Sequence, residues 1–146
     1  MKITLTFLIL LTLAIHGHAQ TIVPKTTVVV KIAGGMHPVE LDKNLVAGQW
    51  HYTFLFQNRS YSELTDIKTM GIDTSGLREM VKGLKAAQAA KNGEDVLMDH
   101  FSISKTKTFV TRGAVLYRFT YDAGYCNLSE KDLNKLITAI EKELSL

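Results

Sequence analysis

The segment Gln49-Trp-His-Tyr-Thr-Phe-Leu-Phe-Gln57 alternates between aromatic and mostly polar side chains. Successive side chains of a β-strand point to opposite faces, so one face would carry Trp50, Tyr52, Phe54 and Phe56. The other face is polar except for Leu55. The segment therefore predicts a β-strand with one face buried in the core and the other exposed to solvent.

The same alternation returns in residues 114–121, where one face would carry Val115, Tyr117, Phe119 and Tyr121. With residues 101–110, this segment predicts a β-hairpin that turns at Thr111-Arg112-Gly113. Lysines on the first arm indicate a partly solvated or edge strand. The remaining strand signals are a β-branched run at 26–32 and brief extended segments at 39–41 and 67–70.

Start signals and apolar stripes predict two amphipathic helices. The first follows Asp73-Thr74-Ser75, whose short side chains can accept hydrogen bonds from the first turn, and extends to about Lys91. The second begins at Ser129, where Ser129 and Asp132 match a capping box. Its apolar stripe consists of Leu133, Leu136, Ile137, Ile140 and Leu144.

These elements predict a single domain of the α+β class. Helices that alternate with runs of strands and hairpins argue against a parallel α/β fold. We expect an antiparallel sheet of four to six strands with two helices packed on one face. The core beneath the helices is expected to contain Trp50, Tyr52, Phe54, Tyr117 and Phe119.

Two pairs of segments resemble each other within the chain. Residues 52–56 match 117–121 at an offset of 65, and 61–66 match 125–130 at an offset of 64. One interpretation is a duplication into two related strand-strand-helix units that share one sheet. The alternative, which we favour, is that aromatic strands and polar helix entries look alike wherever they occur.

Residues 1–19 have the features of a secretory signal peptide. A lysine precedes the mostly apolar run from Ile3 to Ile15, and the small residues Gly17 and Ala19 precede the expected cleavage site. A transmembrane anchor is the alternative, but the run is shorter than the about 20 apolar residues that cross a bilayer. We therefore expect a cleaved, soluble domain over residues 20–146, without stable membrane insertion, at a secreted or periplasmic location.

The charge of the expected mature chain is small. Lys2 is one of the 17 Lys and Arg residues, so cleavage leaves 16 basic against 14 acidic residues, a net charge of +2. The basic residues are interleaved with acids instead of forming a stripe, which excludes an electrostatic case for nucleic-acid binding.

Cys126 is the single cysteine of the chain, so an intramolecular disulfide is excluded. Small exported domains often depend on such crosslinks, and here the core must stabilise the fold alone. Two interpretations of Cys126 stay open: a buried, small apolar side chain, or a free thiol that forms an intermolecular disulfide.

Local catalytic and metal-binding patterns are missing from the sequence. His37, His51 and His100 have no second His or Cys at metal-ligand spacing, so no metal and no cofactor are predicted. A Gly-x-Ser-x-Gly motif is also missing, and helix capping explains Ser75. Asp99 and His100 are adjacent in sequence and are interpreted as a solvated loop. Formal N-glycosylation acceptors begin at Asn58 and Asn127, should the source glycosylate exported proteins.

The sequence therefore predicts a non-enzymatic, exported binding or interaction module. The ligand-binding candidates are Tyr61 and Tyr125, because a phenol combines stacking area with a hydrogen bond. The expected partner is an unidentified protein or a small apolar or sugar ligand. The alternative is a small exported hydrolase whose residues converge only in the fold, with His51 or His100 as the base.

Overall fold

A computed structural model describes residues 26–32, 38–60, 66–107 and 114–145. The predicted leader, Tyr61 and the turn at 111–113 lie outside these residues. In chain order the elements are β1 (Thr26–Ile32), β2 (Val39–Val46), β3 (Gln49–Gln57), β4 (Ile67–Ile72), α1 (Thr74–Ala89), β5 (Asp95–Leu97), β6 (Ser102–Lys107), β7 (Val115–Tyr121), β8 (Gly124–Ser129) and α2 (Glu130–Leu144).

The strands form two antiparallel four-stranded sheets, with the orders β1-β2-β3-β4 and β5-β6-β7-β8. Strands that follow each other in sequence are therefore neighbours in each sheet. The α+β class and the antiparallel arrangement agree with the sequence prediction, but the strands are divided between two sheets instead of forming one. Each sheet is followed in the chain by one helix.

One apolar core connects the two sheets and the two helices. The ring of Phe119 on β7 lies 5.0 Å from that of Phe54 on β3, measured between centroids. Helix α1 contacts strands of both sheets, including β3 and β6, and α2 contacts β1 as well as β7 and β8. Both helices therefore pack against the first sheet and the second, which makes the core a shared one.

The helix starts follow the capping signals of the sequence. Asp73 is the N-cap of α1, and its side chain accepts a hydrogen bond from the amide of Gly76 at 2.7 Å. Ser129 and Asp132 form the predicted capping box at the start of α2. Such reciprocal hydrogen bonds satisfy amides that have no partner within the helix.

Three strand predictions need correction. The extended segment predicted at 39–41 is longer in the structure, because β2 spans Val39–Val46. Strand β8 is not among the strands that the sequence predicts, and Tyr125 lies within it. Strand β6 is an interior strand between β5 and β7, so the edge alternative is wrong, whereas its side chains are partly solvated as predicted. Its Lys105 does not protect an edge: the ammonium donates to the carbonyls of Gln88 and Ala90 at the end of α1, at 2.7 and 2.9 Å.

The order of the elements can be compared with the two pairs of similar sequence segments. Four antiparallel strands and a helix occur twice, with the same strand order in both sheets. The matching segments 52–56 and 117–121 lie in β3 and β7, the third strand of each sheet. The units thus contain four strands each and do not share a sheet, and the two interpretations of the sequence resemblance both stay open.

Candidate functional site

A cleft of about 560 Å³ opens between the first unit and the second. One wall consists of the end of β4, residues 70–72, and the start of α1. The other wall consists of residues 99–101, between β5 and β6, and of Tyr121 at the end of β7. The cleft therefore lies where two distant parts of the chain meet.

The lining of the cleft combines apolar and acidic side chains. Met70, Ile72 and Phe101 are buried members of the core, and Tyr121 packs against it. Carboxylates are contributed by Asp73, Glu79 and Asp99, and His100 adds an imidazole. Lys and Arg do not occur among the described lining residues. The cleft thus offers an apolar surface beside an excess of negative charge.

The turn from β4 into α1 positions one wall of this cleft. A Cβ atom added at Gly76 would lie only 2.6 Å from Cγ2 of Ile72, closer than side-chain carbons approach each other. Gly76 therefore allows the first helical turn to pass directly over the end of β4. The hydrogen bond from the Gly76 amide to Asp73 then orients that carboxylate at the rim.

The cleft brings together side chains that are far apart in the sequence. Ser75, Asp99 and His100 all line it, and Asp99 and His100 are exposed in the irregular segment between β5 and β6, as predicted. Among the described residues, however, no hydrogen bond joins the Ser75 hydroxyl to the His100 imidazole. His51 lies on β3, opposite Asn44, and is not part of the lining.

Metal ligation has no support in the described part of the chain. Within residues 26–32, 38–60, 66–107 and 114–145, no group of three or more His, Cys, Asp or Glu side chains is arranged to hold a metal ion.

The aromatic stripe of β3 is only partly buried. Tyr52 and Phe54 are buried as predicted, as are Tyr117 and Phe119 on β7. Trp50 is 43% exposed, so its assignment to the core is wrong. The ammonium of Lys43 lies 4.8 Å from the centre of the Trp50 ring, and that ammonium is also bonded to Glu143 of α2 at 2.7 Å. The stripe thus continues beyond the buried region of the sheet.

Tyr125 lies outside the cleft. It occupies β8 on the sheet face that points away from the core, and it is half-buried there. The guanidinium carbon of Arg118 lies 4.4 Å from the centre of the Tyr125 ring. Ligand binding by Tyr61 and Tyr125 stays a prediction, and Tyr61 is not among the described residues.

Cys126 is 1% exposed and lies in the core. Burial raises the pKa of its thiol to about 12, since the thiolate would be charged in an apolar environment. Of the two interpretations left open by the sequence, the structure favours the buried apolar side chain. An intermolecular disulfide would require this part of the core to open.

We expect the Cys126 thiol to make the fold sensitive to alkaline pH. The unfolded thiol ionises near its ordinary pKa of 9.0, whereas the folded thiol keeps its proton to about pH 12. Because the folded pKa is the higher of the two, the protonated thiol contributes its full stabilisation of the fold below pH 9. This stabilisation is lost as the pH rises from 9 to 12. Urea unfolding at a series of pH values would measure this loss of stability.

The matched variant for this test is Cys126→Ala, which removes the thiol and leaves Tyr52 and Tyr117 as alkaline-sensitive groups. Burial also raises the pKa values of these two phenols. The variant should lose less stability between pH 9 and 12 than the parent protein. Equal losses in the two proteins would contradict the prediction, as would rapid reaction of native Cys126 with a thiol reagent.

Comparisons with known proteins find no matching protein-family model and no curated protein of similar sequence. In the described part of the chain, the helices are too short or too polar to cross a membrane.

Proposed function

We propose that this protein is an exported, non-enzymatic binding module that holds a small organic cation in the cleft. The observation that carries the proposal is the joint lining of the cleft by an apolar aromatic surface and three carboxylates, Asp73, Glu79 and Asp99. Export rests on the signal-peptide features of residues 1–19. The cleft replaces Tyr61 and Tyr125 as the leading ligand site.

The chemistry of the lining favours a cation with an apolar part. An ammonium group between the carboxylates would gain electrostatic energy from them, and the described lining has no cation to compete with it. The rings of Phe101 and Tyr121 can contact the apolar part, and an aromatic face also attracts a cation. A volume of about 560 Å³ lies within the usual range of small-ligand sites, roughly 300 to 1,000 Å³.

A matched pair of probes tests the requirement for charge. Phenethylammonium and 2-phenylethanol have the same aromatic group, but only the first is a cation at pH 7. We expect phenethylammonium to bind with saturation in a calorimetric or NMR titration and 2-phenylethanol to bind at least about ten times more weakly, a difference of about 1.4 kcal/mol. Equal binding of the two probes would contradict a cation site.

Substitution of the acids locates the site. Asp99→Asn combined with Glu79→Gln should weaken phenethylammonium binding by about ten-fold or more, because two of the attracting charges are removed. The control is Asp95→Asn, an exposed acid on β5 that does not line the cleft. If Asp95→Asn weakens binding as much as the double variant, the cation binds elsewhere.

A hydrolase is the second candidate, because Ser75, His100 and Asp99 line the same cleft. In many enzymes the catalytic hydrogen bonds become short only after substrate binds. The missing bond between Ser75 and His100 in the free protein therefore does not argue against a hydrolase. The test is hydrolysis of p-nitrophenyl acetate by the purified protein. Turnover that both Ser75→Ala and His100→Ala abolish would establish the hydrolase and overturn the non-enzymatic proposal.

A further inference from the structure

The tip of the β2–β3 hairpin carries a cluster of exposed apolar side chains that the cleft does not use. Leu45 is 46% exposed, Val46 48% and Trp50 43%. Leu45 and Trp50 are neighbours across the strands on one face of the hairpin, whereas Val46 points to the opposite face. Apolar side chains scattered singly are normal on a protein surface. Here three large ones fall between positions 45 and 50, which makes them a cluster whose role can be asked.

The turn at the tip is narrow and regular. Ala47 and Gly48 connect Val46 to Gln49, and both have positive φ, as a type I′ turn requires. Such a turn keeps the two strands paired up to the apex. All residues from 45 to 51 are exposed, on both faces of the hairpin, so the tip protrudes from the body of the protein.

The tip lacks the charged side chains that would resist transfer out of water. Residues 44–53 contain no Lys, Arg, Asp or Glu. Their one imidazole, His51, lies opposite Asn44, one pair further from the turn than Trp50. The next charge along β2 is Lys43, and its ammonium is already bonded to Glu143 at 2.7 Å. Since an unpaired charge is costly to remove from water, this composition favours an apolar environment around the tip.

We propose that the hairpin tip inserts into the interfacial region of a lipid bilayer. Tryptophan is enriched at this boundary, because it combines a large apolar ring with a polar N–H group. Lipid surrounds an inserted tip, whereas a protein partner would cover one face and leave the other in water. Three side chains are also too few for a stable protein interface, which buries about 800 Å² on each partner. The contact is superficial and reversible, since only the tip enters the lipid.

The experiment uses Trp50, the single tryptophan of the chain, as a reporter within the tip. Residues 20–146 are titrated with phosphatidylcholine vesicles at physiological ionic strength. We expect a blue shift of the Trp50 emission that saturates with lipid, and quenching by vesicles whose acyl chains carry bromine. Unchanged emission at high lipid concentration would overturn the proposal. Association that requires anionic phosphatidylglycerol and disappears in high salt would also overturn it, because the net positive charge would then be responsible.

A matched pair of double variants locates the contact. Leu45→Ser with Val46→Ser keeps the Trp50 reporter and should raise the lipid concentration at half-saturation by at least about ten-fold. The control is Ile67→Ser with Leu97→Ser, which removes exposed apolar side chains from β4 and β5 and should bind like the parent. An equal loss in both double variants would overturn the assignment to the tip. A blue shift that grows with protein concentration without lipid, together with a dimer in sedimentation, would replace the bilayer by a second copy of the chain.

Discussion

The Phe119→Ala variant should lose about 3 to 5 kcal/mol of unfolding free energy, because it opens a cavity where the two sheets and the β5–β6 turn meet. Phe119 is fully buried. Its ring centre lies 5.0 Å from that of Phe54, 5.9 Å from that of Phe56 and 4.9 Å from that of Phe101. Urea unfolding followed by tryptophan fluorescence or circular dichroism would measure the loss.

Trp50→Ala is the matched control, since Trp50 belongs to the same kind of alternating aromatic pattern but is 43% exposed. A partly exposed ring buries less apolar surface, so its removal should cost less than half as much as that of Phe119. Circular dichroism must follow this variant, because it lacks the single tryptophan. Similar losses in the two variants would contradict a core centred on Phe119.

Side-chain periodicity was sufficient to locate the strands with the clearest alternation. The aromatic residues of β3 and β7 recur at every second position, and the buried members of both stripes meet in the core. The capping residues Asp73 and Ser129 likewise located the starts of both helices. These features depend on neighbours in sequence, which is why a single sequence can predict them.

The sequence predicts only the start of β2, at 39–41, because the charge that interrupts its apolar pattern is compensated by a distant partner. Leu41 points into the core, and Lys43 follows on the same face of the strand. A lysine at such a position breaks the expected apolar pattern. It is tolerated because its ammonium pairs with Glu143 of α2, a hundred positions later in the chain, at 2.7 Å. Local periodicity contains no information about such a partner.

Strand β8 was missed for a different reason. Its core-facing positions are Gly124, Cys126 and Leu128, of which the first has no side chain to signal burial. The turn before it contains Asp122 and Ala123, both with positive φ, in place of the more familiar Asn-Gly or Asp-Gly pair. The sequence therefore lacks a clear signal for the last hairpin.

The cleft was beyond local prediction as well. Its acids Asp73 and Asp99 lie on opposite sides of α1 in sequence and meet only when that helix packs against the second sheet. The sequence correctly predicts an exposed loop at Asp99 and His100, but it contains no signal that this loop forms one wall of the cleft. The separation of the strands into two sheets is likewise a long-range property.

Asn58→Ala should destabilise the protein by about 3 kcal/mol or more, because it leaves buried hydrogen-bonding groups without partners. Asn58 is fully buried, and it is the one buried polar residue in the described ranges. Its Oδ1 accepts hydrogen bonds from the amides of Ser60 and Tyr125 at 3.0 and 3.1 Å, and its Nδ2 donates to Asp66 at 2.8 Å. The amide of Tyr125 belongs to β8, so Asn58 links the end of β3 to the second sheet.

The main chain and the neighbouring glycine support the same junction. The amide of Arg59 donates to the carbonyl of Tyr125 at 2.9 Å, beside the side-chain link. A Cβ atom added at Gly124 would lie 3.0 Å from Cγ of Asn58, so the missing side chain leaves room for the amide. The acceptor motif that begins at Asn58 suggests glycosylation at this residue. Because the Asn58 amide is buried and hydrogen-bonded, the folded protein cannot be glycosylated there.

Two further variants distinguish the hydrogen bonds of the Asn58 amide from the packing of its side chain. Asn127→Ala changes the same residue type on the outer face of β8, where it is only partly buried, and should cost less than about 1 kcal/mol. Asn58→Asp keeps the acceptor oxygens but loses the donor and places a second carboxylate beside Asp66. Burial and this neighbour would raise the folded pKa of the new carboxyl above its unfolded value of about 4, against the opposing effect of the two amide donors and of Lys68, whose ammonium lies 3.6 Å from Asp66.

The destabilisation by Asn58→Asp should therefore increase as the pH rises above about 4 and decrease again on acidification, when the carboxyl becomes neutral and can donate to Asp66. Unfolding free energies of parent and variant at pH 4 and pH 7.5 would show a larger difference at the higher value. A difference that does not depend on pH, or an Asn58→Ala variant as stable as Asn127→Ala, would mean that packing and the main-chain bond of Arg59 join the two sheets without the Asn58 side chain. A pH-dependent loss in Asn58→Asp, together with a larger loss in Asn58→Ala than in Asn127→Ala, would identify the buried Asn58 amide as a polar link that aligns the two sheets.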